Sequence, residues 1–248
     1  MKKTCIFANQ KGGVGKTACA LNVGFELAKR GRNILLVDTD PQGNLTSWSG
    51  FDPDAFKATI FDVLKGKLCM EDIINEVREH LWLAPSNILL ASLEREIFAA
   101  IGYERLLKKA LQPVLARYDH IIIDSPPSLG SLTVNGLVAS DEVYITVACE
   151  HLSVLGTNKL LETIDAVREN YNAKLEIGKV IPTMYTNTVL ATEMLKQLSA
   201  FFGDKMAKTP IRRNVRIGES SAMGQSIIYY DPSSIGAKDF ENLVEEII

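Results

Sequence analysis

The sequence predicts an α/β fold: one doubly wound, mostly parallel sheet with helices on both faces. Three observations predict it. Short apolar runs alternate with helix-like segments along all 248 residues. The apolar runs are near-continuous, as strands buried on both faces must be. Acids and a glycine-rich turn follow several of these runs, where open α/β sheets bind their ligands.

The elements follow in order. Residues 3–8 (Lys-Thr-Cys-Ile-Phe-Ala) are short, apolar and β-prone, which suits a buried strand. Residues 16–30 read as a helix, with Leu21, Phe25 and Ala28 at i, i+4 and i+7 and Gly31 as its stop. Residues 33–37 form a second buried strand. Residues 58–79 hold helical segments broken near Gly66, and residues 81–84 form a short strand. Residues 88–116 are mostly helical, most strongly over 103–117. Residues 120–123 and 142–147 are strands. Residues 153–171 make a long helix with Leu160, Ile164, Val167 and Tyr171 on one face. A strand over 178–182, a helix over 192–202, a loop or short helix over 214–224 and a terminal helix over 236–247 complete the chain. No repeat, low-complexity tract or Pro/Gly/Ser-rich linker divides it, so residues 1–248 are expected to form one domain.

Composition excludes several classes. Hydrophobic residues make up 46 % of the chain, enough for a substantial core. The net charge of −3 provides no global basic field, so any nucleic-acid site must be a local patch. Cys5, Cys19, Cys69 and Cys149 are scattered without a C-x-x-C pair, as reduced thiols of a cytosolic protein would be. The N-terminus runs straight into a strand, so no signal peptide is expected, and no apolar run reaches the ~18 residues of a membrane span. His80, His120 and His151 are isolated, with no nucleophile beside them. Trp48 and Trp82 read as core or loop anchors.

Residues 9–17 read Asn-Gln-Lys-Gly-Gly-Val-Gly-Lys-Thr. Gly12, Gly13 and Gly15 let the backbone curl so that successive N–H groups face an anion. A phosphate there would sit at a helix N-terminus, where donors and dipole both favour negative charge. Lys16 and Thr17 supply the cation for β/γ-phosphates and the hydroxyl for Mg²⁺. Position 10 is Gln where the ordinary phosphate-loop pattern has glycine, and Lys11 is an additional lysine.

Acids follow two strands. The second strand ends Val37-Asp38-Thr39-Asp40-Pro41-Gln42-Gly43, which directs two carboxylates toward the phosphate loop. The strand at 120–123 is followed by Asp124-Ser-Pro-Pro. An acid after four apolar residues suits a Walker B strand that holds a Mg²⁺-bound water while Thr17 binds the metal directly.

Lys-Gly-Gly-Val-Gly-Lys-Thr, Val-Asp-Thr-Asp-Pro-Gln-Gly-Asn and Ile-Ile-Asp-Ser-Pro-Pro-Ser resemble the deviant Walker A, P-loop ATPases of the ParA/Soj/MinD group. Cys149-Glu150, Thr183-Met184-Tyr185, Arg213-Asn214-Val215-Arg216 and Tyr230-Asp231-Pro232 resemble the chromosomal ParA/Soj branch. The likeness covers nearly the whole chain and is weakest over residues 51–117.

The resemblance implies ATP and Mg²⁺ as cofactors. It implies a homodimer that closes on ATP, with Lys11 reaching the partner's phosphates. That lysine would offset the charge buried at such an interface and stabilise transfer to water. It implies nucleotide binding by Lys11, Gly12, Gly13, Val14, Gly15, Lys16, Thr17 and Ala18, with Arg212 and Asn214 beside the adenine. Lys11, Lys16 and Asp40 would be the catalytic groups, Asp40 positioning the attacking water. Thr17, Asp38 and Asp124 would serve the metal. Hydrolysis would be slow and stimulated by a ParB/Spo0J-like centromere-binding or cargo-adaptor protein. Ala18 replaces the second threonine common after Lys-Thr, and Ile211-Arg212-Arg213 replaces a stretch that usually holds a proline.

ParA/Soj relatives bind DNA without sequence preference once dimerised. Between residues 195 and 216, Lys196, Lys205, Lys208, Arg212, Arg213 and Arg216 face a single acid, Asp204. Lys196, Lys205, Lys208, Arg213 and Arg216 are the candidate DNA contacts. Contact with about six phosphates would give log K a slope of roughly −5 against log salt. The arginine that many relatives carry after Thr-Met-Tyr is absent, since Thr186-Asn187-Thr188 stands there. The acidic C-terminal helix argues against anionic lipid. The expectation is therefore a cytoplasmic, nucleoid-associated ATPase of plasmid or chromosome partition. Its alternatives are a sibling that positions a protein cargo, or a regulator acting through protein contacts without DNA.

Overall fold

The computed structural model describes residues 2–97, 102–149 and 157–247. In chain order the strands and α-helices are β1 (Lys3–Ala8), α1 (Lys16–Lys29), β2 (Ile34–Asp38), α2 (Asn44–Trp48), α3 (Ile60–Leu64), β3 (Asn75–Arg78), β4 (Leu81–Ala84), α4 (Leu90–Ile97) and α5 (Leu106–Leu111). They continue with β5 (His120–Asp124), α6 (Ser131–Ala139), β6 (Glu142–Ala148), α7 (Asn158–Asn170), β7 (Glu176–Thr183), α8 (Val189–Phe202), α9 (Val215–Ala222), α10 (Ile227–Tyr230) and α11 (Ile235–Ile247).

The strands form a seven-stranded sheet in the order β3-β4-β2-β5-β1-β6-β7. All neighbours are parallel except β3, which runs antiparallel to β4. Strand alternation sorts the core into two layers. Ile6, Leu35, Val37, Ile121, Ile123 and Val143 face one layer, with Leu107 of α5, Leu132 of α6 and Leu160 of α7. Phe7, Leu36, Ile122 and Tyr144 face the other, with Leu21 of α1 and Phe240 of α11. Each fully buried Ile, Leu or Phe contributes about 1.5–3 kcal/mol relative to exposure. The order reverses around β1. The chain leaves β1 toward β2 on one side, and leaves β5 for β6 on the other. That switch point opens a crevice at the carboxyl ends of β1, β2 and β5.

Three differences from the sequence expectation have clear causes. Residues 75–78 pair with β4 as a strand; Val77 packs on the second core layer, Glu76 is exposed and the Arg78 guanidinium stacks over the Tyr229 ring at 3.4 Å. His80 turns the hairpin in the left-handed region, at φ 63°. Helix α6 carries Thr, Val, Asn and Gly and is buried nearly all round, so it shows no amphipathic stripe. A Cβ on Gly136 would come within 2.4 Å of Ile6 Cδ1, so this glycine permits close packing on β1. Helix α8 starts at Val189, three residues before expectation, because Thr188 caps it by accepting from the Ala191 N–H. Leu160, Ile164 and Val167 of α7 are buried, and Tyr171 lies past its end, donating to Glu104 at 2.8 Å. The expected start of that helix at 153, together with Glu150 and His151, lies outside the described residues.

Helix α11 buries Phe240, Leu243 and Val244 in the core. Among the described residues no helix is long and apolar enough to cross a membrane.

Candidate functional site

The loop between β1 and α1 is tied down from both sides. Buried Asn9 donates from Nδ2 to the Thr146 carbonyl of β6 (2.7 Å) and accepts at Oδ1 from the Lys11 N–H (2.9 Å). Thr183, at the end of β7, donates to the Val14 carbonyl at 2.9 Å. Gly13 and Gly15 adopt φ of 71° and 82°, a region costly for other residues. Gly15 is the N-cap of α1, which has no side-chain cap and no acid in its first turn. Its first N–H groups are therefore open to an anion. Gly12 has no positive φ, so nothing in its own conformation requires glycine.

Two lysines of this loop have opposite settings. Lys11 is exposed. Lys16 is buried, and its ammonium donates to the Lys11 carbonyl at 3.3 Å. Burial pushes the Lys16 pKa down, against the pull of Asp124 and Asp40. Thr17 follows and lies beside Asp124.

Asp38 and Asp124 are register partners at the ends of β2 and β5, and both are fully buried. Asp38 has donors on both oxygens. Its Oδ1 accepts from the Asp40 N–H (3.0 Å), and its Oδ2 accepts from the Thr46 N–H (2.9 Å) and hydroxyl (2.8 Å). Burial nevertheless pushes its carboxyl up to about 7. Asp124 differs. Neither of its oxygens has a hydrogen bond of good geometry, although the Thr17 hydroxyl is near enough to favour its charge. Burial drives its carboxyl well above the usual range. The charge of Asp38, and to a lesser degree that of Asp40, adds to this, while Thr17 and Lys16 oppose it. Asp40 accepts at Oδ1 from the Gln42 N–H (2.9 Å), and the Gly43 N–H closes the turn onto the Asp40 carbonyl (3.0 Å). Burial raises its pKa too, against Gln42 and Lys16.

This donor set fits a hard cation. It is all oxygen, with a hydroxyl and an unsatisfied buried carboxylate side by side, as Mg²⁺ prefers. Among the described residues no three His, Cys, Asp or Glu side chains converge as a metal cage. The protein shell is thus incomplete alone, as in sites where phosphate oxygens finish the coordination.

Next to the loop lies a cavity of about 550 Å³ whose walls include Gly13, Ala18, Trp48, Met184, Arg212 and Asn214. Strand-like bonds between Tyr185 and residues 211–213 set its far wall. Asp239, itself buried, accepts from the Arg212 N–H (2.9 Å) and from its Nε (3.0 Å). Asn214 caps α9 by accepting from the Arg216 N–H at 2.9 Å. Met184 holds φ 53°, a strained setting for a non-glycine at the cavity wall.

The candidate DNA contacts lie along one stretch. From the foot of α8 the chain climbs beside β7, bonding to Val180 and Pro182, and reaches the cavity rim. Lys205 and Lys208 lie near the foot, and Arg213 and Arg216 at the rim; all four are exposed. Helix α8 spans 14 residues, so foot and rim are about 20 Å apart. The local excess is smaller than the sequence count: Arg212 pairs with Asp239, and Arg216 pairs with Glu219 (2.8 Å) and Asp231 (3.6 Å). Lys196 pairs loosely with Glu193 at 3.8 Å.

Sequence reasoning missed Asn9, Thr46, Trp48, Thr183, Met184 and Asp239. Asn9 was visible as a polar residue closing an apolar strand. The others come from distant segments that only the folded sheet brings together.

The protein family described as an AAA domain matches residues 2–177. The chain is 43% identical over 250 residues to the chromosome-partitioning ATPase Soj of Treponema pallidum, covering 100% of this chain and 98% of that one. It is 43% identical over 249 residues, with the same coverage, to the sporulation initiation inhibitor protein Soj of Bacillus subtilis. Among solved structures it resembles cobyrinic acid a,c-diamide synthase from Mycobacterium smegmatis with bound ATP analog and magnesium. That likeness has a TM-score of 0.89 and 33% identity, covering 99% of this chain and 93% of that one.

Proposed function

The chain belongs to the Soj/ParA family of chromosome-partitioning ATPases, and on that premise we propose a Mg-ATP-dependent, dimerising ATPase that acts in chromosome or plasmid partition. The reading follows the Soj relatives over the diamide synthase because they are nearer in sequence, at 43% against 33%. One observation carries it: an unsatisfied, fully buried carboxylate, Asp124, beside Thr17 at the uncapped N-terminus of a phosphate-loop helix.

Mg·ATP supplies the phosphoryl group and a cation that draws charge off it. The chain's residues do the rest. Backbone N–H groups of residues 12–17, with Lys16, hold the phosphates. Thr17 and Asp124 hold the metal and its water. Asp40 orients the attacking water, and Asp38 fixes the loop that carries Asp40. Arg212, Asn214 and Ala18 line the base cavity. Exposed Lys11 reaches the nucleotide of a second copy, which makes pairing report the triphosphate.

In this reading residues 1–248 act as one domain, cytoplasmic and nucleoid-associated. The dimer binds DNA non-specifically through Lys196, Lys205, Lys208, Arg213 and Arg216, and a ParB-like partner resets it by stimulating slow hydrolysis. Calorimetry tests the core of the proposal. ATP should bind only weakly without Mg²⁺, and Lys16→Ala should abolish binding. Metal-independent binding unaffected by Lys16→Ala would overturn it.

A further inference from the structure

We infer that Thr46 is a positioning residue for hydrolysis, acting on Asp40 through Asp38; the inference rests on the ATPase reading above. Thr46 sits in α2, eight residues from Asp38, and is fully buried. Its hydroxyl has one proton and two lone pairs. The proton goes to Asp38 Oδ2 at 2.8 Å, and a lone pair accepts the Ser86 N–H at 3.1 Å. Its own N–H goes to the same Asp38 oxygen at 2.9 Å. The other Asp38 oxygen accepts the Asp40 N–H at 3.0 Å.

These bonds form one chain: the β4 exit at Ser86, the Thr46 hydroxyl, the Asp38 carboxylate and the Asp40 backbone. Every link is buried, so water does not replace a lost one cheaply. Asp40 has few other restraints: the Gln42 N–H on its carboxylate and the Gly43 N–H on its carbonyl, both within its own turn. Thr39 ties that turn to β5, donating its hydroxyl (2.6 Å) and its N–H (3.0 Å) to the Asp124 carbonyl, and among the described residues the Thr46 link ties it on the β4 side. Without the hydroxyl, Asp38 keeps one backbone donor at Oδ2 and can rotate about it. The Asp40 N–H then loses its fixed acceptor, and the turn swings relative to the nucleotide.

Misplacement of a reacting group by about 1 Å costs on the order of 10²-fold in rate. The measurement is single-turnover hydrolysis at saturating Mg·ATP, with nucleotide affinity read separately. Thr46→Val keeps the shape and removes the hydroxyl; Thr46→Ala provides a second truncation should the valine variant fail to fold. Either should lower the hydrolysis rate about tenfold or more while affinity stays within about threefold. Thr46→Ser should restore the rate. Asp40→Ala serves as the control. If it hydrolyses normally, or the parent protein does not hydrolyse ATP, the ATPase reading itself fails. If Asp40→Ala is inactive but Thr46→Val or Thr46→Ala turns over at the parental rate, only this inference fails. An equal fall in affinity and rate would also overturn it, because that is the mark of general disruption.

Discussion

Asp124→Asn should make the protein more stable while removing its metal response. In the fold, burial and the charges of Asp38 and Asp40 raise the Asp124 pKa. Between the ordinary carboxylate value and the raised one, the folded state holds a proton that the unfolded state has lost. Stability therefore falls as pH rises through that window, and the whole penalty is present above it. Asparagine removes the ionisation, and its amide can donate toward the neighbouring acids. Relieving a buried unsatisfied acceptor is worth about 1–3 kcal/mol. In a chain of this size each kcal/mol moves Tm by about 2–4 °C, so a gain of roughly 2–12 °C is expected where the folded carboxyl is ionised. The gain should shrink as pH falls toward the ordinary carboxylate range, because the folded carboxyl takes up its proton before the unfolded one does. Ligand at 100 times its Kd stabilises by about 2.7 kcal/mol, and the variant should lose most of the Mg²⁺-dependent part of that. Thermal unfolding at pH 5, 6.5 and 8, with and without Mg·ATP, reads every term. A variant less stable than its parent at pH 8, with the metal response intact, would refute the reasoning.

Further outcomes follow from the same geometry. Gly136→Ala places a Cβ 2.4 Å from Ile6 Cδ1 in a central strand, and should cost about 1–3 kcal/mol by overpacking in chemical denaturation; parental stability would mean that Ile6 moves aside. The chain has two tryptophans, and Trp82 is engaged with Tyr118 at 5.5 Å. In a Trp82→Phe background, Trp48 emission should therefore change saturably with nucleotide; a flat titration would place the base elsewhere. Arg213→Glu should weaken DNA retention and flatten the salt slope of the dimer by about 2; equal DNA binding would move the contact off the cavity rim.

The parts of the site legible in the sequence are those whose signals are local. β1, β2 and β5 are buried on both faces, so they read as apolar runs, and the residue after each run had to be Asn9, Asp38–Asp40 or Asp124. The glycines at 13 and 15 announce their own φ. The rest needed the folded sheet. The cavity collects Ala18, Trp48, Met184 and Arg212 from four segments whose spacing carries no period. Thr46 looks like any helix threonine until Asp38 and Ser86 are placed against it. The basic stretch was overcounted because Asp239 and Asp231, which offset Arg212 and Arg216, lie outside it. Helix α6 was missed because a segment buried on all sides has no polar face to reveal its period.

In the proposed function Lys11 couples nucleotide state to pairing. Light scattering of the full chain with Mg²⁺ and a non-hydrolysable ATP analogue tests it most directly. The parent should double its mass on adding the analogue, while Lys11→Ala binds the analogue and remains single. A parent that stays single at saturation, or a Lys11→Ala variant that pairs as the parent does, would contradict the account.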